Sequence, residues 1–370
     1  MKKLIVILFY IVFFNYMAKS EPKPLQMGEK APDFNLKGTD EKMYSLASFA
    51  EAKILVIIFT CNHCPTAQAY EERVKKLVTD YASKKVQVIA ISPNDPLSVR
   101  LDEMGYTDLG DSFEDMQTRA KDHNFNFPYL YDGDTEGVSL KYGPAATPCV
   151  FIFDDKRILR YSGRIDDVEK PTKTPKNFDT RNAIEELLAN KTVSVPTTKT
   201  FGCSIKWAEK KALSNKEKEE WAKEPVNIEL IDDEGIKNIL ANKTDKLRLI
   251  NVWATWCGPC VTELSDFNAI NHMYRRRDFE LITISADKPD KKEKALKTLT
   301  NLQMSGKNFI FNSDDVYKLI ELIDPNWQGA LPYTILIEPN GKIIYQKQGA
   351  IVPLEMKRKI VEHPLIGRVY

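Results

Sequence analysis

The sequence predicts an α/β protein made of two copies of one unit in tandem, each a central mixed β-sheet flanked by helices, behind an N-terminal signal peptide. Three observations predict it. A run rich in β-branched residues, Ile54 to Phe59, enters a Cys-x-x-Cys motif at Cys61 and Cys64; apolar residues at helical spacing follow, namely Tyr70, Val74, Leu77 and Tyr81. The same succession recurs from the apolar run 247–252, through Cys257 and Cys260, into Leu264, Phe267, Ile270 and Tyr274. Finally, 370 residues suffice for two domains with separate cores.

Taken in order, residues 1–20 combine Lys2 and Lys3, an apolar run over 4–14, and small residues at Ala18 and Ser20, the pattern of a cleaved signal peptide. The run is too short to span a bilayer comfortably, so no membrane span is expected after cleavage. Export to a periplasmic or other extracytoplasmic space would place the six cysteines in an oxidising compartment, where thiols pair or do redox work. The formal charge is +1, from 53 basic and 52 acidic residues, which gives no electrostatic case for nucleic acid or an anionic membrane as partner.

Residues 21–190 form the first unit. After its dithiol come a strand at Val86 to Ser92 and then Ala146-Thr147-Pro148, opening a strand that turns into another ending at Gly163. The second unit, 226–370, repeats this with Phe279 to Ser285, then Ala330-Leu331-Pro332, a further strand pair ending near Gly349, and a final helix over 353–362. The first copy is longer between dithiol and proline, and the polar, Gly-containing segment 104–114 reads as a surface insertion. Residues 191–225, rich in Lys, Glu and Thr, read as a charged linker with a helical stretch at 207–221.

Both dithiols fall where a strand turns into a helix. Unpaired N–H groups and the positive end of the helix dipole favour a thiolate there, so Cys257 is expected to attack and Cys260, one turn on, to resolve the mixed disulfide. Cys61 and Cys64 read as a second redox pair, or as a buried structural pair or metal ligands; a cationic His63 between them would stabilise a Cys61 thiolate. Glu263 lies one turn beyond Cys260 on the same helix face, as an acid/base partner or simply an exposed carboxylate. Trp256 is a candidate apolar lip for docking proteins. Such chemistry needs no cofactor beyond the cysteine disulfides themselves. Cys149 reads as a buried core cysteine or a third active thiol, and Cys203 has no assigned role.

The order of strand, Cys-x-x-Cys and X-Pro strand resembles the thioredoxin fold. Trp253-Ala254-Thr255-Trp256-Cys257-Gly258-Pro259-Cys260 with Glu263-Leu264, and Trp327-Gln328-Gly329-Ala330-Leu331-Pro332, resemble the TlpA/ResA branch of exported thioredoxin-like reductases; Ser265 stands where that branch usually has proline. The first copy is similar to peroxiredoxin-like AhpC/TSA (redoxin) proteins that carry a Cys-x-x-Cys. That likeness rests on Ala31-Pro32-Asp33-Phe34, Thr60-Cys61-Asn62-His63-Cys64-Pro65, Phe127-Pro128-Tyr129-Leu130-Tyr131-Asp132, Gly163-Arg164-Ile165-Asp166 and Gly202-Cys203-Ser204-Ile205-Lys206-Trp207. The resemblance implies that Pro148 and Pro332 are cis-prolines facing the dithiols, each loop presenting backbone to an extended substrate. It departs from catalytic peroxiredoxins at the site: Cys61 and Ile57 replace their threonine and proline, and no arginine stands at Thr147-Pro148.

These features are read as an exported thiol–disulfide oxidoreductase acting on protein disulfides, supplied by an upstream electron donor. The rivals are a thiol peroxidase and, outside enzymes, a copper- or zinc-handling protein using Cys61, His63 and Cys64. Gly258-Pro259 between cysteines resembles thioredoxin, near ~−270 mV, and His before the second cysteine resembles disulfide isomerases, near ~−180 mV. Electrons are then expected to run from Cys257/Cys260 to Cys61/Cys64.

Overall fold

The structure is a computed structural model that describes residues 22–170 and 173–367; the signal-peptide reading of residues 1–20 lies outside the described residues. Its strands fall into two sheets. The first joins β1 (Asn35–Gly38), β2 (Met43–Ser45), β3 (Ile54–Phe59), β4 (Val86–Ser92), β5 (Tyr129–Tyr131), β6 (Cys149–Phe153) and β7 (Leu159–Gly163) in the order β2-β1-β5-β4-β3-β6-β7. The second joins β8 (Glu229–Ile231), β9 (Leu247–Trp253), β10 (Phe279–Ser285), β11 (Lys307–Phe311), β12 (Tyr333–Ile337) and β13 (Ile343–Gln348) in the order β13-β12-β9-β10-β11-β8.

One pattern underlies both. β3 pairs in parallel with β4 and antiparallel with β6, which pairs antiparallel with β7; β9, β10, β12 and β13 repeat those relations. β3 and β9 are buried along their whole lengths, as central strands covered on both faces must be, and their Ile, Leu and Val content follows from that. The helices of the first unit are α1 (Pro65–Tyr81), α2 (Phe113–Asp122), α3 (Ser139–Tyr142) and α4 (Asp179–Leu188), followed by α5 (Lys211–Trp221). In the second, α6 (Asp233–Ala241), α7 (Gly258–Tyr274), α8 (Lys292–Asn301), α9 (Val316–Ile323) and α10 (Pro353–Val361) flank the sheet. α1 buries Tyr70, Val74, Leu77 and Tyr81, and α7 buries Leu264, Phe267, Ile270 and Tyr274, the stripes seen in the sequence.

Residues 191–225, expected to link the copies, instead hold to them. Thr197 bridges Ser162 at the edge of β7, Cys203 bridges Thr147, and Val193, Ile205 and Trp207 are buried. Trp221 then stacks on His272 of α7 with ring centroids 3.9 Å apart. The apolar residues scattered through the charged stretch are too few to form a run, yet Val193, Ile205, Trp207 and Trp221 are buried, while Val195 and Leu213 stay exposed.

Segment 104–114 departs from the surface insertion expected of it. Val99 and Met104 join the core cluster around α7, and the last turn of α7 and α10 close over the following residues. Tyr274 Oη donates to the Thr107 carbonyl at 2.7 Å, Arg277 Nη1 to the Gly105 carbonyl at 3.0 Å, and Arg358 Nε to Asp108 Oδ2 at 3.0 Å. Arg276 pairs with Asp102. The polar residues of this segment serve an interface between the two units, because arginines of the second unit meet its carbonyls and carboxylates.

Candidate active site

At the second dithiol, β9 delivers the chain into a loop held by Asp287, which accepts from the Thr255 N–H and hydroxyl at 2.8 Å each. Cys257 is the N-cap of α7, with extended backbone (φ −92°), and its sulfur accepts from the Cys260 N–H at 3.3 Å. Gly258 and Pro259 form the first helical turn, where proline costs no hydrogen bond. Cys257 and Cys260 are joined as a disulfide. Cys260 is sealed at 0 % exposure, Cys257 shows an edge at 7 %, and Trp256 beside it is 66 % exposed.

The Leu331-Pro332 bond is cis. Because Tyr333 pairs with Val252, the register sets Pro332 level with Trp253, at the end of β9 that leads to the dithiol. Glu263 is buried, and accepts from Asn251 Nδ2 at 3.0 Å and from the Ile351 N–H at 3.1 Å. Burial raises its carboxyl above the ordinary value despite those two donors. That carboxyl, one turn beyond the resolving cysteine, holds its proton more tightly than an exposed glutamate does.

The first dithiol is built the same way and tuned differently. Cys64 is the N-cap of α1, with Pro65 at the first helical position, and its sulfur accepts from the Ala67 N–H at 3.5 Å. Thr147-Pro148 is also cis, and Thr147 reaches both sulfurs: its hydroxyl lies 3.1 Å from Cys61 Sγ and its carbonyl 3.4 Å from Cys64 Sγ. All four cysteines of this unit, Cys61, Cys64, Cys149 and Cys203, are free thiols. Cys149 follows the cis-proline on β6, where burial pushes it up to about 12, so it stays a protonated core thiol.

His63 is fully enclosed and its Nδ1 lies 2.6 Å from Asp111 Oδ2. Asp111 also accepts from the backbone N–H of Asn62 at 2.8 Å and of His63 at 3.1 Å, and from Asn94 Nδ2 at 2.7 Å. Burial disfavours the imidazolium, but the Asp111 carboxylate outweighs it and holds His63 above its ordinary value; the same pairing holds Asp111 below its own. The beneficiary is Cys64 rather than Cys61. Burial opposes a Cys64 thiolate, yet hydrogen bonds from the Cys203 and Cys61 thiols, the His63 charge and the Ala67 N–H hold it well below the ordinary range. Burial pushes Cys61 up, as does its hydrogen bond to Cys64. Neither Asp111 nor Asn94 was legible as a site residue: Gly110-Asp111-Ser112 reads as an ordinary turn before α2.

Cys61, His63 and Asp111 present ligand atoms within 4.8 Å of one another, the one such cluster among the described residues. The fit to a metal is poor. Nδ1 of His63 is already engaged by Asp111, and the Asp111 oxygens already accept four hydrogen bonds, so an ion would have to displace that network.

Tyr274 meets the first unit at one end of α7 and Cys257 caps the other, about 26 Å away along the helix axis at ~1.5 Å per residue.

Two sheets sharing one core of strand pairings, each with a dithiol at the start of a helix and a cis-proline following it, define a tandem thioredoxin-like α/β oxidoreductase. The AhpC/TSA family model matches residues 27–162 and again 222–346, more than half of the chain, and the protein belongs to that family. Thiol-disulfide oxidoreductase ResA of Bacillus thuringiensis (strain Al Hakam) is 32 % identical over 134 residues, 36 % of this chain and 73 % of that one. Thioredoxin-like protein YneN of Bacillus subtilis (strain 168) is 26 % identical over 155 residues, 42 % of this chain and 78 % of that one. Among solved structures, an uncharacterized conserved protein from Geobacillus kaustophilus is 34 % identical with a TM-score of 0.43, covering 49 % of this chain and 92 % of its own. The match to ResA, covered over 73 % of its length, makes this chain a thiol–disulfide oxidoreductase.

Proposed function

We propose that the protein is exported and exchanges disulfides with protein substrates through two dithiols, Cys257/Cys260 and Cys61/Cys64, with no cofactor beyond those cysteines. The observation that carries the reading is the Cys257–Cys260 disulfide at the N-terminus of α7. In the reduced enzyme Cys257 attacks a client disulfide, one client sulfur leaves, and Cys260 attacks Cys257 to release the second. Two electrons pass to the client and the Cys257–Cys260 bond re-forms. Glu263 supplies or accepts the proton at Cys260. The cis-Pro332 loop and exposed Trp256 receive the client chain.

Export rests on the signal-peptide pattern of residues 1–20, and no described helix is long and apolar enough to cross a membrane. An upstream thiol donor must re-reduce Cys257–Cys260. Each dithiol acts as its own exchange site, since the contacts between the units run through Tyr274, Arg277 and Arg358 and involve neither dithiol. The test is insulin reduction with a dithiol as electron source, comparing the mature chain with Cys257→Ser and Cys61→Ser. Loss of most activity in Cys257→Ser supports the reading, and undiminished activity in both variants together contradicts it.

A further inference from the structure

Cys61 and Cys64 are 2 % and 0 % exposed, a depth at which no protein thiol can reach either sulfur. Cys203 is the third sulfur of the cluster and the only one partly open to solvent, flanked by exposed Gly202 and Ser204. It is held there by backbone: the Cys203 N–H donates to the Thr147 carbonyl at 3.0 Å, and the Thr147 N–H to the Cys203 carbonyl at 2.9 Å. Thr147 is the residue whose hydroxyl and carbonyl touch Cys61 and Cys64. The approach depends on Gly202, whose φ is +137° and where an added Cβ would stand 2.1 Å from the Thr147 oxygen. Cys64 therefore shares a buried cluster with Cys61, and Cys203, partly open to solvent, packs against that cluster from outside.

We propose that Cys203 is the outward relay thiol of the first site, carrying disulfide exchange between the buried Cys61/Cys64 pair and protein dithiols. The proposal rests on the reading of Cys61/Cys64 as a redox pair. With that pair oxidised, the Cys203 sulfur attacks Cys64 Sγ; the Cys61–Cys64 bond breaks, the Cys64–Cys203 bond forms, and the proton of Cys203 passes to Cys61. No electrons enter or leave in that step. A protein dithiol then attacks Cys203: the Cys64–Cys203 bond breaks, a mixed disulfide to Cys203 forms, and Cys64 leaves as a thiolate facing His63 and the Ala67 N–H. The partner's second thiol displaces Cys203, so the partner is oxidised by two electrons and the first site holds them. The reverse sequence reduces a partner disulfide.

The test uses the full chain in a glutathione redox buffer, with disulfides mapped by mass spectrometry. In Cys61→Ser the expected product is an intramolecular Cys64–Cys203 disulfide; in Cys61→Ser combined with Gly202→Ala, which keeps both of those thiols, that cross-link should be lost. In Cys203→Ser, exchange of the Cys61–Cys64 disulfide with reduced thioredoxin should slow at least tenfold while exchange with dithiothreitol changes less than twofold. The relay is overturned if Cys61→Ser yields only a glutathione adduct on Cys64 with Cys203 free, or if Cys203→Ser exchanges with thioredoxin at the wild-type rate. A different failure marks the underlying reading. If Cys61 and Cys64 stay reduced across the whole buffer range in wild type and Cys203→Ser alike, the first site is not a redox pair and the relay falls with it.

Discussion

The Asp111 carboxylate lies 2.6 Å from Nδ1 of His63, with both side chains closed to solvent. A pair so buried is expensive to break from one side, because the surviving charge has no water to turn to. Asp111→Asn should therefore destabilise the first unit by about 3 kcal/mol, read from urea unfolding. The pH dependence has a definite sign. His63 is held above its ordinary 6.5, so its contribution is complete below that pH and is lost as pH rises through the raised value. Asp111 is held below its ordinary 3.8, so its contribution is complete above that pH and is lost as pH falls through the lowered value. The stability gap between wild type and Asp111→Asn should be widest between pH 3.8 and 6.5 and shrink in alkali; a gap that goes on growing above pH 6.5 contradicts the assignment.

The thiolate of the first site should belong to Cys64. In a background carrying Cys257→Ser and Cys260→Ser, the ultraviolet absorbance of the reduced protein should report a thiolate well below the ordinary 9.0. Cys64→Ser should abolish it. Cys61→Ala should keep it but raise its midpoint, since one of its hydrogen-bond donors is gone. If Cys61→Ala removes the signal and Cys64→Ser does not, the anion sits on the other sulfur.

Much of this was legible in the sequence, and what was not has a common cause. β3, β9 and their helices announce themselves because a buried central strand and an amphipathic helix each impose a period on their own residues. The two prolines were legible from their order after each dithiol. Asp111, Asn94 and Cys203 gave no local sign, since each acquires its role from a chain segment returning from elsewhere: 99–111 wedged against α7, and 195–207 folded back onto Thr147. His63 drew notice as a neighbour of Cys61, yet burial of Cys61 and its own donation to Cys64 move the benefit to the second cysteine.

Glu263 gives a separable prediction at the second site. Because burial raises its carboxyl, it can deliver a proton to the Cys260 sulfur nearer neutrality than an exposed glutamate could. Glu263→Gln keeps the size and one acceptor for Asn251. It should slow turnover in insulin reduction by at least about tenfold, within the usual range for a lost proton-transfer group. Alkylation of Cys257 should be unaffected. Equal loss of Cys257 alkylation would point to a general disturbance of the helix instead.

Peroxide separates the first site from a peroxidase. Among the described residues, the groups hydrogen-bonded to Cys61 and Cys64 are Thr147, Ala67, Cys203 and each other, with no guanidinium among them. A thiolate so surrounded lacks the guanidinium that would hold the peroxide and stabilise a departing hydroxide. Stopped-flow oxidation by micromolar hydrogen peroxide should be no faster than for an ordinary protein thiolate of the same ionisation. Rapid oxidation that is lost in Cys64→Ser would establish peroxidase chemistry.

The central claim is that Cys257 attacks protein disulfides and Cys260 resolves the product, and trapping tests it most directly. A Cys260→Ala variant expressed with its signal sequence leaves Cys257 without its resolving partner, so client proteins should accumulate in mixed disulfides that run as high-mass species without reductant and collapse with it. The same species should be absent from a variant carrying both Cys260→Ala and Cys257→Ser. If Cys260→Ala traps nothing, or if trapping persists without Cys257, protein disulfide exchange through this dithiol is contradicted.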